Sequence, residues 1–449
     1  MSCYYQTCVA QRAVFGPRGV LCVEVNGKGE RVMQFRGLVW CAAVALTACP
    51  VWAQWESGSD GSDGAFAPGA SVEVDLSLAA SLCDCDADTQ VDDPCRWDCP
   101  SPVSSRGVYD AEQFVIVYKY STINVPAGVT VTFKNHPSNP PVVWLATGNV
   151  TLSGTVSVDG KEIVGGPIPT FTQPGPGGYE GAQPGHAGLA AGDAGRARGF
   201  GPGSAPDLSS NGYAAHASAS PFVNGSVTYG NSNAQPLTGG SGGGSHIFAG
   251  YPAGGSGAGA ILIASDSSIV LGSTGRIQAK SGSAVDGANG SGGDIRVRSE
   301  TITTQSGSEI NAQGQGYRGW VRIEAFTLTN NATISGSFSA TSTPSVVFVT
   351  SPPQLRIVAM CGEFAPLEPI AGIMSTEVEF TNGSPCTIDI EAEGIPAGTT
   401  VGVRVIPARG PIVTATSTPL ADVGGGLRTA TATLTYPPGR SETQLRANW

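Results

Sequence analysis

Charged residues are scarce in this sequence, and several familiar patterns are absent. Lys, Arg, Asp and Glu make up 13% of the 449 residues, against about 25% in ordinary globular proteins. There is no apolar heptad and no strict three-residue glycine period, which excludes a coiled coil and a collagen. Beyond the N-terminal region, no stretch is long and apolar enough to span a lipid bilayer.

Basic and metal-binding side chains are also few. The chain carries 24 Lys and Arg against 35 Asp and Glu, and it has no basic cluster that could follow a phosphate backbone. Nucleic acid is therefore not an expected partner. The four histidines have no metal-ligand spacing, so we expect them to be solvated residues: His136, His186, His216 and His246.

The sequence is rich in glycine, with 63 residues, and in proline, serine and threonine, a composition that favours strands and turns. A short pattern repeats within it: STINVPAGVTVTF at 121–133 is followed by GNVTLSGTVSVDG at 148–160. A constant offset aligns the apolar positions of the two units. We expect these residues to lie side by side: Ile123 and Val150, Val125 and Leu152, Val129 and Val156, Val131 and Val158, Ile116 and Val143, and Val117 and Trp144.

The same pattern returns at 260–282, 294–314 and 320–341. Units of this size cannot bury their apolar face alone, but they can do so by stacking. Because polar residues alternate with the apolar ones, we expect one face of each strand to enter the core and the other to meet solvent. The sequence predicts an all-β protein with a right-handed parallel β-helix over residues 107–350. Its equivalent positions are Ile261, Ile295 and Val321, and likewise Ile269, Ile302 and Leu328.

Two further regions flank or interrupt this repeat. Residues 161–260 hold 26 of the glycines and little apolar density, so we expect an irregular, partly ordered insertion; the alternative is that its apolar islands add irregular rungs. Residues 355–449 show short alternating strands with turns every 8 to 12 residues. That spacing predicts a small antiparallel β-sandwich.

The N-terminal region, residues 1–53, reads as a leader with an export signal. A basic residue, Arg36, precedes the apolar run Leu38–Ala48, and a small-x-small site predicts cleavage between Ala53 and Gln54. The signal starts at Met33 on this interpretation, which makes residues 1–32 a mis-chosen start or an unusual leader. The alternative is a bacterial lipoprotein box, with lipid on Cys49.

Residues 54–106 form a polar lead-in with a segment rich in Cys and Asp. After removal of the leader an even six cysteines remain, which in an oxidising compartment should be paired. Cys361 and Cys386 are expected to join two strands of the sandwich, while the pairing of the other four stays open: Cys83, Cys85, Cys95 and Cys99.

The same segment contains a candidate calcium site. Its aspartates have a spacing that can wrap oxygen ligands around Ca²⁺, although Thr89 and Cys95 stand where an EF-hand has Gly and Glu. The alternative is a solvated acidic loop tied by disulfides, and zinc held by the cysteines is less favoured. No other cofactor is expected. The candidate ligands are Asp84, Asp86, Asp88 and Asp92.

Carboxylates on the outward positions of the repeat are the candidates for catalytic residues, because a polysaccharide-active site needs clustered acids with a nearby Arg or Lys. We interpret them as exposed cross-strand ion pairs and predict no catalytic residue. The candidates are Asp159, Asp266, Asp294, Glu300, Glu309 and Glu324, with Arg296, Arg298 and Arg322.

The motifs WESGSDGSDGAF, VPAGVTVTFKNHP, VVWLATGNVTLSGTVSVDGK, PGPGGYEG and GSGAGAILIAS follow an export signal. Over about residues 54–440 the chain resembles a group of uncharacterised exported bacterial proteins with glycine-rich β-solenoids. The resemblance transfers no activity and no site residues. We expect a secreted or cell-surface, non-enzymatic scaffold or adhesion protein with glycans or envelope components as partners. The alternatives are a polysaccharide lyase or hydrolase and a lipid-anchored envelope protein.

Overall fold

The structure is a computed structural model. It describes residues 55–85, 90–161, 173–182, 198–204, 214–218, 228–245, 253–284, 288–314, 317–348, 353–365, 385–408 and 410–449. Within these ranges the chain is all-β, as predicted, with no α-helix and one short 3-10 helix at Leu76–Leu78. Several predictions fall outside the described residues: the leader at 1–53 with Cys49, the Ala53–Gln54 cleavage site, Asp86, Asp88, His186 and His246.

Two parallel sheets make up the larger part of the fold. Sheet A has nine strands: β1 (Gly64–Phe66), β5 (Val108–Asp110), β6 (Val115–Val125), β8 (Val142–Ala146), β9 (Val150–Leu152), β11 (Ile261–Leu271), β13 (Ile295–Thr304), β15 (Trp320–Thr329) and β17 (Ser337–Thr341). All its pairs are parallel except β5 with β6. Sheet B has six parallel strands: β2 (Val72–Asp75), β7 (Thr130–Lys134), β10 (Thr155–Ser157), β12 (Arg276–Gln278), β14 (Glu309–Asn311) and β16 (Thr333–Ser335).

From β6 to β17 the chain passes back and forth between the two sheets. Their inward side chains form one buried core, with Ile269 and Ile302 from sheet A and Ile277 and Ile310 from sheet B. Stacked strands bury apolar side chains that no single unit could cover. The arrangement is compatible with the predicted β-helix.

The strand register matches the predicted equivalences in the later units. Ile261 pairs with Ile295 and Ile295 with Val321, while Ile269 pairs with Ile302 and Ile302 with Leu328. In the first two units, Ile123 pairs with Val150 and Val125 with Leu152, also as predicted.

The constant offset is wrong elsewhere in the first two units. Val131, not Val129, pairs with Val156, because the turn after β9 is two residues shorter than the turn after β6. A shift of two residues keeps the same side chains inside, so alternation alone does not reveal it. Ile116 pairs with Val142 rather than Val143, and Val117 with Val143 rather than Trp144. These strands are apolar on both faces and carry no alternation to set the register.

The outer face of sheet A is covered, contrary to the expectation that it meets solvent. Val117, Val143 and Leu262 are buried there in a second apolar cluster with the cysteine-rich segment. The described part of that segment contains an antiparallel pair of two-residue strands, β3 (Leu82–Cys83) and β4 (Asp93–Pro94). Two disulfides fix it, Cys83–Cys95 and Cys85–Cys99, a pairing that the sequence left open.

The described glycine-rich segments between β10 and β11 form no strands, but they are largely buried. Their backbones hydrogen-bond from one segment to the next: Tyr179 N donates to Gly240 O (3.0 Å), and Gly240 N donates to Ala258 O (2.8 Å). A Cβ atom on Gly257 would overlap the Gly240 carbonyl oxygen. The segments are thus ordered by close backbone packing, as glycine permits at the crowded axis of collagen, and not by apolar side chains.

Residues 353–449 contain two antiparallel sheets that share one apolar core. The predicted disulfide Cys361–Cys386 is present and joins the residue after the strand Gln354–Met360 to the first residue of the neighbouring strand Cys386–Glu393. Sheet C consists of β18 (Gln354–Met360), β19 (Glu363–Phe364), β20 (Cys386–Glu393), β23 (Ala421–Gly424) and β24 (Leu427–Leu434); sheet D consists of β21 (Val401–Pro407), β22 (Val413–Thr416) and β25 (Ser441–Ala447).

Candidate functional site

A polar cleft lies at the carboxyl ends of three neighbouring strands of sheet B. Ser157, Gln278 and Asn311 end β10, β12 and β14 and are in direct register. Two residues further along each strand come Asp159, Lys280 and Gln313. The cleft has a volume of about 410 Å³ and is lined by Asp159, Gly160, Lys280, Ser281, Ser283, Asn311, Gln313 and Gly314.

Asp159 anchors one wall of the cleft. Its Oδ1 accepts a hydrogen bond from the Lys280 backbone N–H (2.6 Å), and its Oδ2 lies 3.5 Å from Lys280 Nζ. Burial raises the pKa of the Asp159 carboxyl, and the contacts with Lys280 oppose that rise. The carboxylate is held in a fixed position with an ammonium group beside it.

The opposite wall presents amide groups. Asn311 Nδ2 donates to Glu309 Oε1 (2.8 Å), and Asn311 Oδ1 accepts from the Gln313 backbone N–H (2.9 Å). The Gln313 side chain is exposed at the rim. Amide, hydroxyl, carboxylate and ammonium groups in one cleft provide both donors and acceptors.

Only Asp159 of this cleft was among the sequence candidates; Lys280, Asn311 and Gln313 were missed. The sequence does contain a pattern that points to these residues. The repeat aligns TVSVD (155–159), RIQAK (276–280) and EINAQ (309–313), and each of these segments ends in a polar residue. Alignment of the strand ends, in addition to the apolar positions, would have placed these side chains together, because parallel strands end at the same edge of a sheet.

A second cluster of charges lies on the outer face of sheet A. Arg298 pairs across strands with Glu324, and Arg296 with Arg322. The interpretation as exposed ion pairs is wrong: Arg296, Arg298 and Glu324 are at most 1% exposed. Residues 345–348 cover them, with Arg296 donating to Ser345 Oγ (2.7 Å) and to the carbonyl oxygens of Val346 and Val347.

The electrostatics of this cluster follow from its burial. Burial alone would raise the pKa of the Glu324 carboxyl, but Arg296, the Ser345 N–H and Arg298 lower it below its ordinary value. Burial and the positive charge of Arg296 lower the pKa of Arg298 to about 9. The Arg298 guanidinium and the Glu324 carboxyl therefore carry opposite charges at neutral pH.

Asp294 and His216 form a third polar group, inside the molecule. His216 Nε2 lies 3.2 Å from Asp294 Oδ1, and both side chains are fully buried. The ring of Tyr229 stacks on His216 at 4.2 Å, and Thr238 Oγ1 donates to Asp294 Oδ2 (2.9 Å). The expectation of a solvated histidine is wrong here and also at His136, which is buried and packs against the ring of Tyr109.

The remaining sequence candidates are separate from one another. Glu309 forms an ion pair with Arg276, Asp266 accepts a hydrogen bond from the Ser57 N–H, and Glu300 is partly exposed. For the calcium prediction, only Asp84 and Asp92 of the four candidates lie in the described chain. Within that part of the chain no group of three His, Cys, Asp or Glu is close enough to hold a metal ion. Calcium binding stays a prediction.

No protein-family model, curated protein or solved structure matches the chain. Across the described ranges, the chain has no helix with the length and hydrophobicity needed to cross a bilayer.

Proposed function

We propose that this protein is an exported, non-enzymatic scaffold or adhesion protein that binds glycans in the cleft formed by Asp159, Lys280, Asn311 and Gln313. The observation that carries the proposal is the set of donors and acceptors at the ends of β10, β12 and β14. Sugar hydroxyl groups both donate and accept hydrogen bonds, so they match amide, hydroxyl and carboxylate side chains. Within the cleft the negative charge of Asp159 is balanced by the positive charge of Lys280, which favours binding of a neutral sugar.

The proposed scaffold is a right-handed parallel β-helix followed by a small β-sandwich. The alternation of the chain between sheets A and B supports the first part, and the shared core of sheets C and D supports the second. Neighbouring strands lie about 4.8 Å apart, so the cleft presents similar polar groups at regular steps across the strands. A linear polysaccharide lying across the strands would meet one such step after another.

Binding of glycans is tested with the secreted full chain on a panel of neutral and acidic polysaccharides, by affinity gel electrophoresis and calorimetry. We expect retardation by at least one neutral polysaccharide. Asn311→Ala combined with Gln313→Ala should weaken its binding roughly tenfold, since each lost hydrogen bond contributes about 0.5–1.5 kcal/mol. Asn124→Ala, at an exposed position on β6 of the other sheet, is the matched control. Equal affinity in the two variants, or no retardation by any polysaccharide, would refute the proposal.

Polysaccharide cleavage is a second candidate, and the raised pKa of Asp159 in the cleft favours it. A carboxyl with a raised pKa is suited to act as a general acid. Asp294 and Glu324, two of the other carboxylates considered in the sequence, are fully buried and are not placed to contact a polymer. The same panel is assayed for new reducing ends and unsaturated products. Turnover that Asp159→Asn abolishes would favour an enzyme over a scaffold.

Export is supported by the three disulfides, which persist in oxidising compartments. Whether the mature protein is free or lipid-anchored is decided by mass spectrometry of its N-terminus. A start at Gln54 supports a secreted protein, and lipid on Cys49 supports the anchored envelope protein.

A further inference from the structure

The buried charges on the outer face of sheet A do not balance. Arg296, Arg298 and Arg322 surround a single carboxylate, Glu324, so the cluster has an excess of two positive charges. The Arg298 side chain is 0% exposed, Arg296 and Glu324 are each 1% exposed, and Arg322 is 14% exposed. A buried excess of charge is costly unless a counter-charge is present.

The hydrogen-bond acceptors in this cluster are also shared unevenly among its three arginines. Arg296 donates to Glu324, to Ser345 Oγ and to two backbone carbonyl oxygens, and Arg322 donates to Glu324 and to Ser339 Oγ. The oxygens of Glu324 accept in addition from the N–H and hydroxyl of Ser345. Little acceptor capacity is left for Arg298.

Arg298 is the member of the cluster that lacks partners. Its Nε lies 3.0 Å from Glu324 Oε2. Among the residues that the structure describes, its Nη1 and Nη2 have no hydrogen-bond partner. Buried guanidinium N–H groups are almost always satisfied by protein, water or a bound ion.

The aromatic ring of Trp55 lies over this guanidinium. Its ring centre lies 4.8 Å from the Arg298 guanidinium carbon, and its Nε1 donates to Ser345 O (3.3 Å). The Trp55 side chain is only partly buried, whereas Arg298 behind it is fully buried. A partly exposed aromatic ring therefore lies against a fully buried guanidinium.

We propose that Arg298 is the centre of an oxyanion site that takes a carboxylate or sulfate group behind Trp55. Two N–H groups on one guanidinium suit bidentate recognition of either group. A bound anion would satisfy both donors and remove part of the excess positive charge. The site lies on sheet A and is independent of the proposed glycan cleft on sheet B.

The test is thermal unfolding of the full chain in sodium sulfate against sodium chloride at equal ionic strength. Sulfate stabilises most proteins weakly and without saturation, because it is excluded from protein surfaces. Specific binding adds a component that saturates with concentration. We expect a saturable rise in Tm of roughly 2 °C for the wild type, its loss in Arg298→Met, and its retention in Arg276→Met. Arg276 is the matched control, since it is exposed and paired with Glu309 on sheet B.

Thermal unfolding in sodium glucuronate, compared with glucose, distinguishes an acidic sugar from a free ion as the source of the anion. Saturable stabilisation by glucuronate supports an acidic sugar as the ligand, and stabilisation by sulfate alone supports a free ion; either result supports the oxyanion site. Persistence of the saturable component in Arg298→Met would overturn it.

Should Arg298→Met not fold, crystals of the wild type soaked in sodium selenate provide a second measurement. Selenate replaces sulfate and gives an anomalous signal. A peak within hydrogen-bond distance of Arg298 Nη1 and Nη2 supports the site. Water or a protein side chain at that position would overturn the proposal.

Discussion

His216 Nε2 lies 3.2 Å from Asp294 Oδ1, and neither side chain is exposed to solvent. Because His216 Nδ1 faces the Gly292 carbonyl oxygen at 2.7 Å, that nitrogen carries a proton. The pair joins a glycine-rich segment to the start of β13.

Loss of the histidine should therefore be costly. We expect His216→Ala to lower the free energy of unfolding by about 3–5 kcal/mol, because it leaves a buried carboxyl without its partner. Urea denaturation followed by fluorescence measures the change. His136→Ala is the control, since His136 is also buried and packs against an aromatic ring but has no carboxylate contact in the described chain. Equal losses in the two variants would show that packing alone is responsible.

Acid should weaken the protein through Glu324. Its carboxyl has a lowered pKa in the folded state, so it binds a proton more readily after unfolding. Its stabilising contribution is complete above the unfolded value of about 4.5 and is lost as the pH falls through the lower folded value. We expect the wild type to lose stability between pH 5 and pH 3 more steeply than Glu324→Gln in urea titrations. Parallel curves would contradict this assignment.

Close backbone packing of the glycine segments makes them intolerant of side chains. We expect Gly257→Ala to lower the free energy of unfolding by roughly 2–4 kcal/mol, because its Cβ would overlap the carbonyl oxygen of Gly240. Gly69→Ala is the control, as a Cβ there meets nothing within 4 Å. Thermal unfolding of both variants measures the difference. A neutral Gly257→Ala would show that the segments are loosely packed.

The disulfides Cys83–Cys95 and Cys85–Cys99 should hold the cover over sheet A. Replacement of Cys85 and Cys99 by Ser opens a loop of sequence separation 14, which should cost about 3 kcal/mol. We expect increased binding of a hydrophobic dye as Val143 and Leu262 become accessible. Peptide mapping of the unreduced protein checks the pairing independently, and a Cys83–Cys85 or Cys83–Cys99 peptide would contradict it.

The calcium prediction is tested by chelation. We expect a melting temperature that falls on addition of EDTA and loses that sensitivity when Asp84 and Asp86 become Asn, since oxygen ligands are needed for Ca²⁺. Asp422→Asn, an exposed acidic position in sheet C, is a suitable control. Indifference of the wild type to chelator would remove the site.

The sequence predicted those parts of the fold that depend on apolar periodicity. Ile302 and Leu328 pair as expected because alternating side chains set the register of a half-buried strand. The covered outer face was missed, although VVWLA and ILIAS are apolar on both faces, a pattern typical of strands buried on both sides. Contacts between residues that are far apart in the chain, such as the contact of the Arg298 guanidinium with the Trp55 ring, leave no local pattern in the sequence.

The glycine segments show a different limit. The low apolar density of residues 161–260 predicts only partial order, because little apolar surface is available to offset the ordering entropy. Their described parts obtain cohesion from the peptide groups themselves, as the Tyr179, Gly240 and Ala258 backbones show. Hydrogen bonds between main-chain atoms carry no side-chain signature. In the cleft, by contrast, an alignment of the strand ends in the sequence would have predicted that Lys280 and Gln313 lie close to Asp159.

The two disulfides also link the redox state of four cysteines to the burial of one face of sheet A. In a chain with reduced Cys83, Cys85, Cys95 and Cys99, the segment that packs on β6, β8 and β11 is no longer held in place by covalent bonds. An exposed apolar surface of this kind favours association with other molecules. Closure of the two bonds should therefore decrease the tendency of the protein to aggregate.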